Sequence, residues 1–352
     1  MHTIILGFVT AFTITYLAIP SIIGIARHKS LYDLPNGRSA HEEPTPSLGG
    51  FGIFGGVICA IILWTPFDNF SVLQFILAAF VIVFLIGVKD DLHPISPTKK
   101  LVGQLLAALI LVYKSQIKLN SLHGVFGITD LPPLTSFFLS ILIIVAIINA
   151  FNLIDGINGL AGGVGLLASF IWGAWFYYVD SPALAVVAFS LCGALAAFLK
   201  YNVTPAKIFM GDTGSMLVGL VCAILAIKFI VLSYEMPADS RRYTFSAAPA
   251  IAVSILILPL YDTLRVFVRR IWQGRSPFYP DRSHIHHLLL DRGLSHMQAT
   301  YLLLGFNVVF VVLAISMHHL GTTKLLIAEF VLATALTFLV NRFWRQPASP
   351  DA

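Results

Sequence analysis

Residues 134–178 read "LTSFFLSILIIVAIINAFNLIDGINGLAGGVGLLASFIWGAWFYY", which is two long apolar runs separated by a short polar, glycine-rich stretch. Each run approaches the roughly 20 apolar residues that an α-helix needs to cross a bilayer. The stretch between them, residues 149–163, contains one acidic residue, Asp155, and the amides of Asn152 and Asn158. The pattern predicts two membrane helices joined by a polar turn.

The whole composition extends this prediction to the rest of the chain. Of the 352 residues, 57% are hydrophobic and 11% are charged, and the mean hydropathy is +0.86. A soluble domain is normally about 25% charged, so these values predict an integral membrane protein. The net charge of +5 is explained by basic loops on one side of the membrane, which makes nucleic acid an unnecessary partner. The cysteines, Cys59, Cys192 and Cys222, lie inside apolar runs and have no metal or disulfide spacing.

Eleven apolar runs are candidates for transmembrane helices. No alternation typical of a β-barrel is present, so we expect an all-α, polytopic membrane protein with about eleven transmembrane helices. Residues 1–345 form a single integral-membrane domain in this prediction, and residues 346–352 form a short cytoplasmic tail. The predicted spans are 3–25, 48–66, 71–88, 101–114, 134–151, 160–178, 182–199, 214–233, 247–268, 298–317 and 323–341.

The distribution of basic residues predicts the orientation. Only His2 precedes the first apolar run, whereas Arg27 and Lys29 follow it, which indicates a retained first span with its N-terminus outside. Counting through eleven spans places most Lys and Arg residues inside the cell. Five polar motifs fall on the same side, so we expect one composite site at the cytoplasmic surface. These motifs are residues 33–50, 89–100, 152–163, 200–215 and 269–293.

Asp90 and Asp91 are adjacent at the inner end of the third predicted span. Neighbours on a helix point about 100° apart, so the two carboxylates are expected to have different partners. The alternative is that both simply mark the membrane boundary. The basic pair Lys99–Lys100, which follows closely, favours an anion site.

The motif "FMGDTGS", residues 209–215, places Asp212 between two glycines, which permit close backbone approach to a ligand. A helix that begins near Ser215 would offer backbone N–H groups to an anion. The alternative is helix capping by Asp212 or Ser215. In the earlier glycine-rich motif, a helical turn would bring Asp155 and Asn158 to one face, whereas the alternative is a helix–helix contact.

Three histidines near the end of the last polar motif, His284, His286 and His287, accompany Arg275 and Arg282. Contacts to phosphate suit this set, whereas zinc is disfavoured because no thiolate accompanies the imidazoles. A solvated loop is the other alternative. Carboxylates, basic side chains and glycine-rich turns on one side of a membrane are typical of Mg²⁺-dependent phosphoryl transfer, with one soluble and one lipid phosphate.

Taken in their order along the chain, the motifs resemble those of the polyprenyl-phosphate N-acetylhexosamine-1-phosphate transferases of glycosyltransferase family 4. The resemblance covers about residues 26–295 through an Asp pair, "NLIDGINGLA", "NVTPAKIFMGDTGS" and a histidine-rich last loop. It implies transfer of an N-acetylhexosamine-1-phosphate, most often GlcNAc-1-phosphate, from a UDP-sugar to undecaprenyl phosphate, which releases UMP. The product would begin O-antigen, common-antigen or teichoic-acid synthesis. The muramoyl-pentapeptide branch carries three successive histidines, whereas Ile285 interrupts them here.

The resemblance also implies roles for particular residues. Mg²⁺, or Mn²⁺ in its place, would be bound by Asp212 and Asn152. Asn158 departs from the acid that many relatives carry, so it would hydrogen-bond substrate rather than act as a base. The implied catalytic residues are Asp90, Asp91, Asp155 and Asp212. The implied substrate-binding residues are Lys100, Asn152, Asn158, Asn202, Phe209, which would stack on uracil, Arg265, His284, His286 and His287.

The implied partners are a UDP-N-acetyl amino sugar, undecaprenyl phosphate and membrane lipid, in a bacterial cytoplasmic membrane, with no nucleic acid. A homodimer is compatible with the sequence, which offers no support for it. Other classes remain as alternatives: a lipid-linked sugar transporter, a lipid-phosphate hydrolase and a scaffold. The acids lie at the ends of spans rather than near the bilayer midplane, which disfavours the transporter. Direct attack and a covalent aspartyl intermediate are both open.

Overall fold

The computed structural model describes residues 1–29, 31–32, 44–65, 70–236, 244–276 and 283–343. The predictions for Arg282, for most of the motif 33–50 and for the tail 346–352 lie outside them. The described chain is mainly α-helical, as predicted. Its helices are α1 (His2–His28), α2 (Gly49–Trp64), α3 (Phe70–Leu92), α4 (Pro97–Tyr113), α5 (Pro133–Ile154), α6 (Leu160–Tyr178), α7 (Pro182–Asn202), α8 (Gly211–Glu235), α9 (Ala248–Ile255), α10 (Ile257–Trp272), α11 (Ile285–Leu290), α12 (His296–Met317) and α13 (Thr322–Phe343).

Length and apolar composition identify a multi-pass membrane protein. Within the described ranges, eight helices are long and apolar enough to cross a membrane, or nine if α9 and α10 count as one bent span. The predicted number of eleven is therefore not confirmed. The difference lies in α2, which has only 16 residues, and in α4, which begins with Pro97 and two lysines.

The ninth predicted span, 247–268, is not one continuous helix. It consists of α9 and α10, whose axes differ in direction by 83°. Pro259 has no N–H group, so it cannot donate the helical hydrogen bond to the carbonyl of Ile255, four residues earlier. The sequence prediction overlooked this effect of an internal proline.

A two-stranded antiparallel hairpin is a further element that the prediction missed. Strand β1 (Ser121–Val125) pairs with β2 (Ile128–Asp130). Gly127, in the turn, has a φ of +81°, which glycine adopts without strain. The hydroxyl of Thr323, near the start of α13, accepts a hydrogen bond of 2.8 Å from the N–H of Phe126. The hairpin is thereby fixed to the amino-terminal end of α13.

Helix α8 lies at the centre of the bundle, with most of its residues buried. Helices α2, α3, α5 and α6 pack around it. At Gly50 and Gly87, an added Cβ would clash with the backbone of α8 at Gly214 and Thr213 respectively. Small residues allow such close approach of helices in membranes. These contacts bring the polar ends of several helices to the amino end of α8.

Candidate active site at the amino end of helix α8

Asp91 caps the first turn of α8. Its carboxylate accepts hydrogen bonds from the N–H of Asp212 (2.7 Å), the N–H of Thr213 (3.0 Å) and the Thr213 hydroxyl (2.5 Å). The first N–H groups of a helix have no partner within it, and the helix dipole favours an anion there. The expectation of a helix that begins near Ser215 is wrong, because α8 begins at Gly211. The anion at its first turn is a side chain of the protein.

Asp90 has different partners, as the sequence predicted. Its carboxylate accepts from the N–H of Ile95 (2.7 Å) and pairs with the ammonium of Lys100 (2.7 Å). Lys100 also forms an ion pair with Asp212. A single ammonium group from α4 therefore lies between carboxylates of α3 and α8.

The end of α5 completes this group through Asn152, whose amide donates to the carboxylate of Asp212 (2.6 Å) and to the hydroxyl of Ser215 (3.0 Å). Asp155 directly follows the last residue of α5, Ile154, and is its C-cap. Burial raises the pKa of Asp155 well above its usual value, and the negative charges of Asp212 and Asp91 raise it further. We call Asp90, Asp91, Asp155, Asp212 and Lys100 the acidic cluster.

The donor atoms of the acidic cluster fit a hard divalent cation. They are carboxylate oxygens, with the amide of Asn152 beside Asp212, and those of Asp90 and Asp212 already hold one positive charge, the Lys100 ammonium. In the part of the chain that the structure describes, no three His, Cys, Asp or Glu side chains converge as a ready cage for a metal ion. Mg²⁺ does not require such a cage, because it usually binds one or two protein carboxylates together with substrate phosphates and water.

Asn158 and Asn202 point to other partners. The amide of Asn158 donates to the hydroxyl of Thr204 (2.8 Å), and Asn202 accepts from the N–H of Gly159 (2.7 Å) and donates to the carbonyl of Ile208 (2.9 Å). Since α5 ends at Ile154, Asp155 and Asn158 do not share a helical face, and that expectation is corrected. These two amides join the loop that follows α5 to the loop that precedes α8.

Phe209 lies in that second loop and is half-buried. Its N–H donates to the carbonyl of Pro46 (2.8 Å), and its carbonyl accepts from the N–H of Gly49 (2.9 Å). The end of the first polar motif is therefore held against the fourth. Stacking of Phe209 on uracil stays a prediction.

The predicted histidine motif is organised by a buried acid, Asp262, on α10. Its carboxylate accepts from the guanidinium of Arg265 (2.7 Å) and the N–H of Ile285 (3.0 Å), and it pairs with Nδ1 of His284 (2.8 Å). Arg265 also donates to the carbonyl of Ser283 (2.6 Å). We call Asp262, Arg265 and His284 the histidine clamp, because they hold the segment that carries His286 and His287.

His286 connects the clamp to the loop after α5. A Cβ at Gly156 would clash with the imidazole of His286, so glycine is what allows the two segments to touch. The rings of His286 and His287 lie 4.3 Å apart. Burial, together with the neighbouring His287, lowers the pKa of His286 to about 3, so His286 is neutral at physiological pH. Gly156 and Thr213 were not assigned roles from sequence, because nothing in their local spacing identifies their distant partners.

The fold and this site define a multi-pass membrane protein with a polar, oxygen-rich centre at one end of its bundle. The model of glycosyl transferase family 4 matches residues 73–230, which include the acidic cluster. A decaprenyl-phosphate N-acetylglucosaminephosphotransferase of Mycobacterium leprae is 31% identical over 84% of this chain and 78% of its own length. A probable undecaprenyl-phosphate N-acetylglucosaminyl 1-phosphate transferase of Bacillus subtilis is 30% identical over 96% and 91%.

An undecaprenyl-phosphate alpha-N-acetylglucosaminyl 1-phosphate transferase of Salmonella typhi is 29% identical over 78% of this chain and 72% of its own length. Sequence identity at this level, over most of both chains, is sufficient to assign the family. The chain belongs to glycosyl transferase family 4. The resemblance noted in the sequence motifs is therefore confirmed, whereas the roles of individual residues remain predictions.

Proposed function

We propose that the protein transfers GlcNAc-1-phosphate from UDP-GlcNAc to undecaprenyl phosphate, which yields a lipid-linked pyrophosphoryl sugar and UMP. The observation that carries this proposal is the acidic cluster around Asp212, at the end of a bundle of membrane helices. Relatives of the chain are named as transferases of N-acetylglucosamine phosphate to a polyprenyl phosphate. The reaction would begin the synthesis of a cell-surface polysaccharide. The N-terminus would lie outside a bacterial cytoplasmic membrane, and the site would face the cytoplasm.

Asp212, with Asn152 beside it, would hold Mg²⁺. A bound Mg²⁺ ion supplies positive charge that stabilises the pyrophosphate as UMP departs. Lys100 brings a second positive charge to the same place, from which it can turn to a phosphate oxygen. This arrangement suits a reaction whose catalysis consists largely of positioning and charge stabilisation.

The different partners of Asp90 and Asp91 support different roles. The carboxylate of Asp91 already accepts three hydrogen bonds from the first turn of α8. Asp91 would therefore position Asp212 rather than touch the lipid phosphate. Asp90 is held by one backbone N–H and by Lys100, so it is the residue that would orient or deprotonate the lipid phosphate. The lipid phosphate oxygen then attacks the β-phosphorus of the UDP-sugar, and the bond to UMP breaks.

The histidine clamp would present His286 and His287 to the pyrophosphate, with Arg265 and His284 behind them. His286, being neutral, would contribute a hydrogen bond rather than a charge. Phe209 would stack on uracil. Asp155 would contact the nucleotide sugar, while Asn158 and Asn202 fix the loop that carries it.

The test uses purified protein in detergent with undecaprenyl phosphate and Mg²⁺. UDP-GlcNAc, UDP-GalNAc and UDP-MurNAc-pentapeptide are supplied separately, and UMP and lipid-linked product are both measured. We expect both products from UDP-GlcNAc, none after chelation of the metal, and recovery with Mg²⁺ or Mn²⁺. Free sugar phosphate without lipid-linked product would indicate a hydrolase, and failure to bind any UDP-sugar would exclude the transferase.

Omitting the lipid separates the two mechanisms. Direct attack predicts no UMP from UDP-GlcNAc alone, whereas a covalent aspartyl intermediate would release one UMP per enzyme.

Two variants test the separate roles of the Asp pair. Asp90→Asn should abolish turnover without lowering the melting temperature. Asp91→Asn should lower both, because weakening a helix cap costs about 0.5–2 kcal/mol of stability.

A further inference from the structure

Three buried polar side chains meet where α9 ends and α10 begins. They are Ser254 on α9, Asn307 on α12 and Glu329 on α13, and we call them the break cluster. None belongs to the acidic cluster or to the histidine clamp. Burying polar groups in an apolar interior is unfavourable unless they are hydrogen-bonded, so their convergence at one point of the bundle requires an explanation.

The break cluster replaces hydrogen bonds that the helix loses at its bend. The amide of Asn307 donates to the carbonyls of Ser254 (3.2 Å) and Ile255 (3.1 Å). Pro259 cannot donate a hydrogen bond to the carbonyl of Ile255, because proline has no N–H. The hydroxyl of Ser254 donates to the carboxyl group of Glu329 (2.6 Å). Two later helices are thus bonded to the last turn of α9.

The geometry makes α10 a lever with its pivot at the break cluster. Asp262, the centre of the histidine clamp, is seven residues beyond Ile255, which corresponds to about 10 Å along a helix. A change of about 10° in the bend would therefore move Asp262 by roughly 2 Å. That displacement exceeds the tolerance of a hydrogen bond such as the 2.8 Å contact between Asp262 and His284.

We propose that Asn307 and Glu329 are positioning residues that fix the angle between α9 and α10, and through it the histidine clamp. Their hydrogen bonds are made to the end of α9, at the pivot, so they act on the direction in which α10 leaves it. The effect on catalysis rests on the proposed transferase function, whereas the effect on the angle of α10 does not.

The first experiment measures the angle directly. Spin labels are placed at Trp272, which is 91% exposed at the end of α10, and at Lys200, exposed on α7, after Cys59→Ala removes the exposed thiol. The lever from Ile255 to Trp272 is about 26 Å, so a 10° change moves the label by about 4.5 Å. We expect Asn307→Leu to shift or broaden the distance distribution. Thr337→Val is the control, since its hydrogen bond stays within α13.

The second experiment tests whether Asn307→Leu lowers activity by displacing the histidine clamp. Asn307→Leu should lower the transfer rate about 10- to 100-fold, as misplacement of a catalytic group does. In a His284→Ala background it should cause no further loss, whereas a general structural role would give additive losses. Glu329→Gln, which keeps an oxygen that can accept from Ser254, should retain more activity than Glu329→Leu.

An unchanged spin-label distance in folded Asn307→Leu, or additive losses with His284→Ala, would overturn the proposal. Should Asn307→Leu fail to fold, Ser254→Ala and Glu329→Leu remove the other hydrogen bond of the break cluster and serve in the same measurements. Should no UDP-sugar support turnover, the transferase function fails, and the distances alone decide the inference.

Discussion

The acidic cluster and the histidine clamp each hold an aspartate beside a basic group, but their charges are balanced differently. In the clamp, Asp262 has a guanidinium, an imidazole and a backbone N–H as partners. In the acidic cluster, one ammonium group, Lys100, pairs with the carboxylates of both Asp90 and Asp212. In the clamp the carboxylate is matched by its partners, whereas in the cluster the carboxyl groups outnumber the single ammonium group.

From this difference we expect the acidic cluster to bind ligands and the histidine clamp to position other residues. Carboxyl groups that outnumber the neighbouring basic groups favour the binding of a further cation, and a bound cation in turn attracts phosphates. A buried carboxylate whose oxygens are already bonded has little left for a ligand, so Asp262 acts through the segment that it holds. Substitutions in the two regions should therefore fail in different ways.

The largest effect is expected from Asp212→Asn. The amide keeps the size of the side chain but removes the charge that would hold a divalent cation, so transfer should fall by about 1,000-fold or more, equivalent to about 4 kcal/mol. UMP release measures it, and the melting temperature should change little. Asp180→Asn is the control and should keep full activity. Asp180 lies in the turn between α6 and α7, outside the acidic cluster, and its positive φ suits Asn. Residual activity of Asp212→Asn above a tenth would mean that the acidic cluster is not the chemical centre.

Asp262→Asn should lower stability as well as activity. Removing one charge of a buried, hydrogen-bonded set leaves the guanidinium of Arg265 poorly compensated, at a cost of about 3 kcal/mol. We expect a lower melting temperature and a transfer rate reduced about 10- to 100-fold. Arg265→Lys, which keeps the charge, should fall between this variant and the parent protein. Loss of turnover with unchanged stability would instead place Asp262 among the groups that touch substrate.

Gly156→Ala tests the contact between the two regions. The added methyl group would clash with the imidazole of His286 and push the histidine segment away, so we expect about a tenfold loss of transfer. Gly305→Ala on α12 is the matched control, because its Cβ would meet nothing within 4 Å. Combining Gly156→Ala with His286→Ala should relieve the clash, and a purely additive double loss would contradict the contact.

The smallest effect is expected from pH. The unfolded chain binds a proton on His286 near pH 6.5, but the folded protein binds it only near pH 3. The free energy of unfolding should therefore be unaffected by this group above pH 6.5 and fall by roughly 1 kcal/mol per pH unit below it. Melting temperatures at pH 7.5 and 5.5 should differ less in His286→Gln than in the parent protein. An equal difference in melting temperature between the two pH values in both proteins would show that His286 is solvated.

Much of this organisation could be predicted because it is local or periodic. Apolar runs locate the helices, and the angle between helix neighbours predicts that Asp90 and Asp91 have separate partners. The sequence cannot specify partners between distant segments, which is why the capping of α8 by Asp91 and the contact of Gly156 with His286 were found only in the structure.

The errors in prediction have physical causes as well. An apolar run conceals a bend, since Pro259 and the amide of Asn307 that compensates for it lie 48 positions apart. The expected face shared by Asp155 and Asn158 assumed that a helix continues through a glycine-rich turn. Glycines there end the helix, and the amides that seemed to be free for substrate bond to neighbouring loops instead.

The burial of α8 has a consequence for the order in which the protein is assembled. Seven helices precede it along the chain, and several of them pack against its surface in the finished bundle. In the membrane, helices insert individually and then associate by close packing. Asp212 lies in the first turn of α8, and its partners come from α4 and α5, so the candidate active site forms only after these helices have docked. A protein trapped halfway through assembly would therefore be inactive in the bilayer and unable to consume its lipid substrate.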